Sequence, residues 1–347
     1  MSGGADIALV SLGTTPGLVR SDEAFASLVR RAGASCEVVP VRMGWTGHLR
    51  RHLAVTDLVE ALASRRVARA IDAPAVVYST ITAALLQQPA VPYGIRFDAI
   101  AALNRPGAGG LWQRRHERGV LDRAAILMPV SHGAAAAVEG ARPPIARVPI
   151  PIEVVDGASN RDVDAVAYAG YPRKRGLELL CAAWTEAAPA GARLVVGGVG
   201  RDRAIAWLER TSGATAPDGV EWAGALSRDS WLDLLRRARL FLNASRWEDF
   251  GIAPMEALAA GTPVVTVPTP GSFEALPLVR ELAPDLVAED MSAEGLAAAI
   301  GAGFALDDER RARYVERARE LLRPYSEEAV GRVVAERVLP ALGIGAR

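Results

Sequence analysis

The segment from Asn243 to Glu256 reads N-A-S-R-W-E-D-F-G-I-A-P-M-E and carries two carboxylates, Glu248 and Glu256, eight positions apart. A carboxylate is a strong acceptor for paired hydroxyls, such as a ribose diol or the ring hydroxyls of a hexose. Between them lies Gly251, whose missing side chain lets backbone N–H groups approach a bound anion closely. A second group of chemically competent residues is Arg173, Lys174 and Arg175, three adjacent cations able to neutralise a diphosphate. Acceptors for hydroxyls combined with cations for phosphate fit a nucleotide sugar. Taken singly, each part has a plainer reading: Glu248 as a solvated loop charge, Glu256 as a carboxylate at a helix start, the cations as a solvated basic turn.

These residues need elements to hold them. Short apolar runs bounded by Gly, Pro or polar residues alternate with longer helical patterns, the signature of βαβ units and a mostly parallel sheet. Strands are expected at residues 7–12, 37–41, 76–79, 93–97, 125–130 and 147–150, and again at 165–169, 193–196, 220–222, 240–243 and 263–267. Helical composition and period cover 23–31, 57–70, 111–123 and 229–237. Residues 240–243 form a buried strand, 245–252 a polar loop at its carboxyl end, and 254–260 a short helix started by Pro254 and stopped by Gly261. That helix puts Glu256 in its first turn. Open α/β sheets bind ligands at the carboxyl ends of their strands, so the loop is well placed. Prolines cluster at 143, 144, 149 and 151, followed by the polar stretch 156–164, which marks an interdomain connection. The expected division is 1–155, 156–325 and a closing helical segment 326–347, whose apolar residues recur at helical spacing and dock it on a domain surface.

Both glutamates, the D-F-G between them and the continuation A-L-A-A-G-T-P-V-V resemble the E-x7-E donor motif of the retaining glycosyltransferases of family 4. That resemblance implies the GT-B fold: α/β, two Rossmann-like domains facing each other across a cleft, the amino-terminal one on the acceptor side and the carboxyl-terminal one on the donor side. It also implies that Glu248 contacts the transferred sugar, that Glu256 holds the nucleotide ribose, and that Phe250, Gly251 and Ile252 offer backbone N–H groups to sugar and phosphates. The stretch Y-A-G-Y-P-R-K-R-G is similar to the family's phosphate loop, with two departures. Tyr171 stands where an arginine often follows the strand-end glycine, and Arg175 replaces the usual lysine before Gly176. Which of the three cations binds phosphate is left open. Gly197, Gly198 and Gly200 resemble a glycine-rich turn beside the nucleotide, and residues 221–227 resemble the segment that frames the base.

In the first half, the loop S-L-G-T-T-P-G lies where the family places a glycine loop near diphosphate and acceptor, which makes Gly13 and Thr14 candidates. A structural turn explains them equally well. Asp98 ends R-F-D at the place of a family His-Asp pair, and Phe97 stands for the histidine. Arg96 and His132 are the two residues available to replace the lost imidazole. The implied catalytic pair is Glu248 and Asp98, both as orienting groups first.

Lys+Arg and Asp+Glu each total 40 among 347 residues, a balance that argues against a chain binding nucleic acid by neutralising phosphates along its surface. The two cysteines, Cys36 and Cys181, are far apart in apolar segments and read as buried thiols of a reducing cytosol. His48, His52 and His116 lack partners at metal-ligand spacing, so no metal and no cofactor are expected beyond a nucleoside diphosphate sugar as substrate. The start of the chain has neither the basic nor the apolar run of a signal peptide, and no stretch reaches the length of a membrane span. A cytoplasmic protein, free or peripheral to the membrane, is expected. Arg42, Arg50, Arg51 and Arg105 leave open an anionic or lipid-linked hydroxyl acceptor. The expected reaction is metal-independent, retaining transfer from donor to acceptor. An epimerase of the same architecture and a non-catalytic nucleotide-sugar-binding protein are the competing readings. Donor base, sugar, acceptor and oligomeric state are not encoded in any motif.

Overall fold

A computed structural model describes residues 4–44, 53–105, 107–155 and 161–345, with the side chains of 53–55 and 109 excepted. Trp45, His48, Arg50, Arg51 and His52, and part of the polar stretch expected at 156–164, lie outside the described residues. The chain forms two compact units, Met1–Pro151 with Tyr325–Arg347, and Ile152–Pro324.

The first unit holds a parallel sheet of β1 (Ile7–Ser11), β2 (Cys36–Pro40), β3 (Ala75–Tyr78), β4 (Tyr93–Phe97) and β5 (Ile126–Pro129), in the order β2-β1-β3-β4-β5. β1, β3, β4 and β5 are buried along their whole length, as strands covered on both faces must be. Helix Pro16–Arg31 begins earlier than expected. Thr15 caps it, its side chain accepting the Leu18 N–H at 3.2 Å, and Pro16 fills the first helical position, where its missing N–H costs nothing. The closing segment runs as helix Glu327–Val333 and continues through Val334–Val338 and Leu339–Ala341. Its Val330, Val334, Val338 and Leu342 share one core with Ile7, Leu9, Phe25, Leu28 and Met128.

Residues 147–150 do not form the expected strand. Ile145 makes a single bridge to Leu127, and only the Ala146 and Val148 N–H groups reach β5, at 3.0 and 2.9 Å. Pro149 and Pro151 have no N–H to continue the ladder.

The second unit holds β6 (Val163–Tyr168), β7 (Leu194–Gly197), β8 (Val220–Gly224), β9 (Ala238–Asn243) and β10 (Val264–Thr266), all parallel, in the order β10-β9-β6-β7-β8. Val166, Val196, Leu240, Phe241 and Val265 are among its buried core. Both sheets are doubly wound, and each has a switch point where the chain leaves neighbouring strands in opposite directions. It lies between β1 and β3 in the first unit and between β6 and β9 in the second. Ligand crevices of such sheets open at the carboxyl ends of those strands.

Candidate functional site

At the second unit's switch point, the loop after β6 and the loop after β9 are neighbours because their strands are paired along Val163–Ala167 and Ala238–Leu242. The first loop carries Arg173, Lys174 and Arg175. These are not in an open loop as expected but in a single helical turn, Pro172–Arg175, which starts on Pro172 and ends at Gly176 in a left-handed conformation, φ +58°. Gly176 is required there twice over: the φ disfavours any L side chain, and a Cβ would sit 2.1 Å from the Ala244 carbonyl oxygen of the loop after β9. Helix Leu177–Ala187 follows. The Arg246 N–H donates to the Lys174 carbonyl at 2.8 Å, tying the two loops backbone to backbone.

The loop after β9 carries Glu248, whose residue is only 2% exposed. Its Oε1 pairs with the Arg175 guanidinium, itself 20% exposed, and lies 3.0 Å from Ser245 Oγ. Ser245 Oγ is also 2.7 Å from Asn243 Oδ1. Asn243 in turn donates through Nδ2 to Thr266 Oγ1 at 2.9 Å, on the adjacent strand β10. Glu248 is therefore part of a buried polar chain running from Arg175 to Thr266, and the solvated-charge reading of it fails. Burial lowers the Arg175 pKa from its ordinary value, against the opposing influence of Tyr168 and Asp249. Lys174 reaches the neighbouring Asp249, Nζ to Oδ2, at 3.1 Å.

Helix Ile252–Ala259 starts two residues before its expected beginning, with Gly251 as its N-cap at φ +78°. A Cβ on Gly251 would lie 2.6 Å from the Phe273 ring. The helix has no side-chain cap, and the first N–H groups of any helix lack an intrahelical acceptor, so this end suits an anion. Phe250 is buried, and its carbonyl accepts the Glu274 N–H at 3.3 Å.

Glu256 is consequently the fifth residue of the helix, not a first-turn carboxylate, because Pro254 occupies its third position instead of its first. The macrodipole reading of Glu256 loses its basis. Its carboxylate, on a residue 4% exposed, accepts Arg228 at 2.6 Å on Oε1 and Trp231 Nε1 at 2.9 Å on Oε2. Both donors come from helix Arg228–Arg237, where they stand three positions apart on one face. Arg228, Trp231, Ser245 and Asn243 were not among the residues expected from the sequence. Only Ser245 and Asn243 carried a signal, as polar residues inside the motif, since the other two are brought in by folding from 28 and 25 positions away.

Gly198 follows β7 beside Gly170, two residues beyond the end of the neighbouring strand β6. Its N–H is donated to the Gly224 carbonyl at 2.6 Å, so that N–H is engaged within the protein.

In the first unit, Gly13 is exposed with φ +56° and Thr14 is half-buried, both in the turn between β1 and helix Pro16–Arg31. Phe97 is 2% exposed and packs into the apolar core, and Asp98 directly after it is exposed. Arg96, also 2% exposed, turns to helix Pro16–Arg31: it donates to Ser21 Oγ at 2.6 Å and lies 3.8 Å from Asp22 Oδ1. It is built into the interior as a structural cation. His132 is the first residue of a short helix that Ser131 caps. Arg105 forms a two-pronged pair with Asp57 at 2.9 and 3.0 Å, an internal partner for a cation considered for an anionic acceptor. Among the described residues there is no group of three His, Cys, Asp or Glu that could hold a metal ion, and no helix is long and apolar enough to cross a membrane.

Comparisons with known proteins agree with this architecture. Residues 163–305 match the family described as glycosyl transferases group 1. Over 68 residues the chain is 37% identical to mannosylfructose-phosphate synthase of Agrobacterium fabrum, a match covering 20% of this chain and 15% of that protein. Among solved structures, sucrose-phosphate synthase from Thermosynechococcus elongatus superposes with a TM-score of 0.74 at 17% identity, covering 97% of this chain and 99% of the other. The HepE protein of Anabaena, in complex with UDP-glucose, gives 0.69 at 14% identity over 97% and 100%. WaaG, a glycosyltransferase involved in lipopolysaccharide biosynthesis, gives 0.64 at 18% identity over 94% and 99%. The chain has the two-domain GT-B fold, with parallel sheets flanked by helices.

Proposed function

We propose that this protein is a retaining glycosyltransferase that moves a sugar from a nucleoside diphosphate sugar to a hydroxyl acceptor without using a metal ion. The observation that carries the reading is the pair of buried glutamates, Glu248 and Glu256, flanking an uncapped helix N-terminus. Burying carboxylates is costly unless they are paired, and these two are held by Arg175 and by Arg228 with Trp231. The match of residues 163–305 to glycosyl transferases group 1 supports the same reading.

In the proposed reaction the bond from the sugar's anomeric carbon to the diphosphate oxygen breaks, and its electron pair leaves with the diphosphate. Arg175 and Lys174, with the N–H groups at the start of helix Ile252–Ala259, stabilise that charge. Arg175 is the first choice among the three cations because it adjoins Glu248. Glu248 accepts hydroxyls of the transferred sugar and fixes its orientation, and Glu256 accepts the ribose hydroxyls. The acceptor hydroxyl bonds to the anomeric carbon on the face the diphosphate leaves, and its proton passes to the departing phosphate oxygen. Asp98 orients the acceptor, which the first unit receives. The protein acts in the cytoplasm, in solution or at a membrane surface.

The test has two stages. Thermal shifts with uridine, guanosine, adenosine and thymidine diphosphates and their sugars identify the donor, because a bound ligand stabilises the folded state by mass action. Product analysis with and without candidate acceptors then reads transfer. Glu248→Ala abolishes transfer and keeps the fold, and wild-type turnover in that variant would sink the proposal. Sugar interconversion without acceptor would establish the epimerase instead, and tight binding without consumption the non-catalytic binder.

A further inference from the structure

The three cations of the Pro172–Arg175 turn do not share one environment. Lys174 is neutralised by Asp249 and Arg175 by Glu248, and nearby Arg246 is neutralised by Glu178. Arg173 lines a different feature, an open groove of about 420 Å³ between this turn and helix Arg201–Ser212. Arg203, Ala206, Trp207 and Arg210 line its other side, and their spacing of three, four and seven positions puts them on one helix face. The lining contains three guanidiniums, two aromatic rings, a proline and an alanine, and no carboxylate. Among the described residues none of the three guanidiniums has a carboxylate partner. Asp202 and Glu209 lie on the same helix without lining the groove. Its aromatic wall is fixed. Trp207 Nε1 donates to Glu178 Oε2 at 3.0 Å, and the Arg210 guanidinium stands 5.1 Å from the Trp207 ring centroid. Tyr171, opposite, is 62% exposed.

We propose that this groove is a second ligand site, distinct from the pocket of the two glutamates, and that it takes a phosphate ester carrying a ring. Guanidinium forks match phosphate oxygens in a way a single point charge does not. The indole and phenol rings supply flat apolar faces for the ring of the ester, which bare phosphate would leave uncovered. The unsatisfied positive charge repels itself until an anion enters. Because Arg173 precedes Lys174 and Arg175 in one helical turn, an occupant of the groove also holds the turn that bears on Glu248.

The full chain is titrated calorimetrically with three probes: inorganic phosphate, glucose 1-phosphate and phenyl phosphate. At least one ester binds about tenfold or more tightly than inorganic phosphate, and the Arg203→Gln/Arg210→Gln variant loses about tenfold or more of that affinity. Preference for the glucose ester identifies a sugar phosphate as the occupant, and preference for the phenyl ester a planar-ring compound such as a nucleotide. Glu256→Gln leaves ester binding in place. Esters that bind no better than inorganic phosphate, or that bind the double arginine variant unchanged, would overturn the proposal. So would ester binding lost in Glu256→Gln, which assigns it to the glutamate pocket. Where the glucose ester is preferred, the nucleotide-sugar thermal shift of the double arginine variant stays at the wild-type value. Failure of that shift in the wild type, with ester binding intact, would count against the glycosyltransferase reading and not against this groove.

Discussion

Arg175→Met isolates the ion pair at the centre of the site. The substitution keeps most of the side-chain volume and removes the guanidinium, leaving Glu248, 2% exposed, with Ser245 as its remaining partner. Stripping one partner from a buried pair costs about 3–5 kcal/mol. The Arg175 side chain keeps 20% of its exposure, so part of its charge is already shared with water, and about 2–3 kcal/mol is expected. Adding Glu248→Gln removes the stranded charge, so the double variant recovers part of the loss, with a coupling energy of about 1–3 kcal/mol. Urea unfolding followed by tryptophan emission is the appropriate assay, because Trp184, Trp207, Trp222, Trp231 and Trp247 all lie in the Ile152–Pro324 unit. Emission therefore tracks chiefly that unit, which matters in a two-domain chain where one global free energy is not defined. A single-variant loss below about 0.5 kcal/mol together with zero coupling would show that the pair is not a buried, interdependent one, and the account of how Glu248 is held would fall. If the proposed function holds, the same variant also slows transfer by about 10²–10³ through the loss of one charge-stabilising donor.

Three further outcomes follow from other parts of the molecule. Glu117 accepts the Ala101 N–H at 2.8 Å, yet burial outweighs that bond and raises its carboxyl to about 7 from an ordinary 4.5. Between those values the folded state keeps a proton that the unfolded chain has lost, so stability falls as pH rises through the window. Glu117→Gln removes that slope, and its gain over the parent at pH 8, up to about 3 kcal/mol, is read from unfolding at pH 5 and pH 8 by circular dichroism. Gly176→Ala destabilises the second unit by at least about 2 kcal/mol, from left-handed strain plus the clash with the Ala244 carbonyl, measured by the same tryptophan transition. Cys36 and Cys181 are buried, and burial raises their thiols to about 11 and about 12. Both therefore resist a thiol reagent at pH 8 in the folded protein and react in urea.

What the sequence discloses and what it withholds divide along physical lines. All ten strands were visible as short runs between turn residues; most are covered on both faces and so leave a continuous apolar stretch, while β2 and β8 are only partly buried. The false strand at 147–150 had the same apolar character, and Pro149 with Pro151 was the signal against it. The early start of helix Pro16–Arg31 was written in Thr15-Pro16, a cap followed by a proline, which apolar periodicity alone passes over. Glu256 was misplaced by a similar shortcut: Pro254 suits the first helical position, but it is tolerated anywhere in the first turn, where no intrahelical N–H bond is lost. The pairing of Arg175 with Glu248, and of Arg228 with Glu256, had no local signal, since each depends on which strands lie side by side.

That dependence explains why an eight-residue spacing is informative without describing a site. Glu248 and Glu256 are joined by one loop and helix, yet they are anchored to different parts of the unit. Glu248 is held from the turn after β6, and Glu256 from helix Arg228–Arg237, which precedes β9. Moving β9 away from β6 would leave the motif intact in sequence and strip Glu248 of its cation. The strand order β10-β9-β6-β7-β8 supplies what the motif lacks: it sets two crevice loops distant in sequence against each other, one rich in carboxylates and one in cations. A buried carboxylate survives only with such a partner, so the burial of Glu248 is itself a consequence of the doubly wound order, while that of Glu256 rests on helix Arg228–Arg237. The Pro172–Arg175 turn therefore faces two ways, giving Arg175 to Glu248 and Arg173 to the arginine groove.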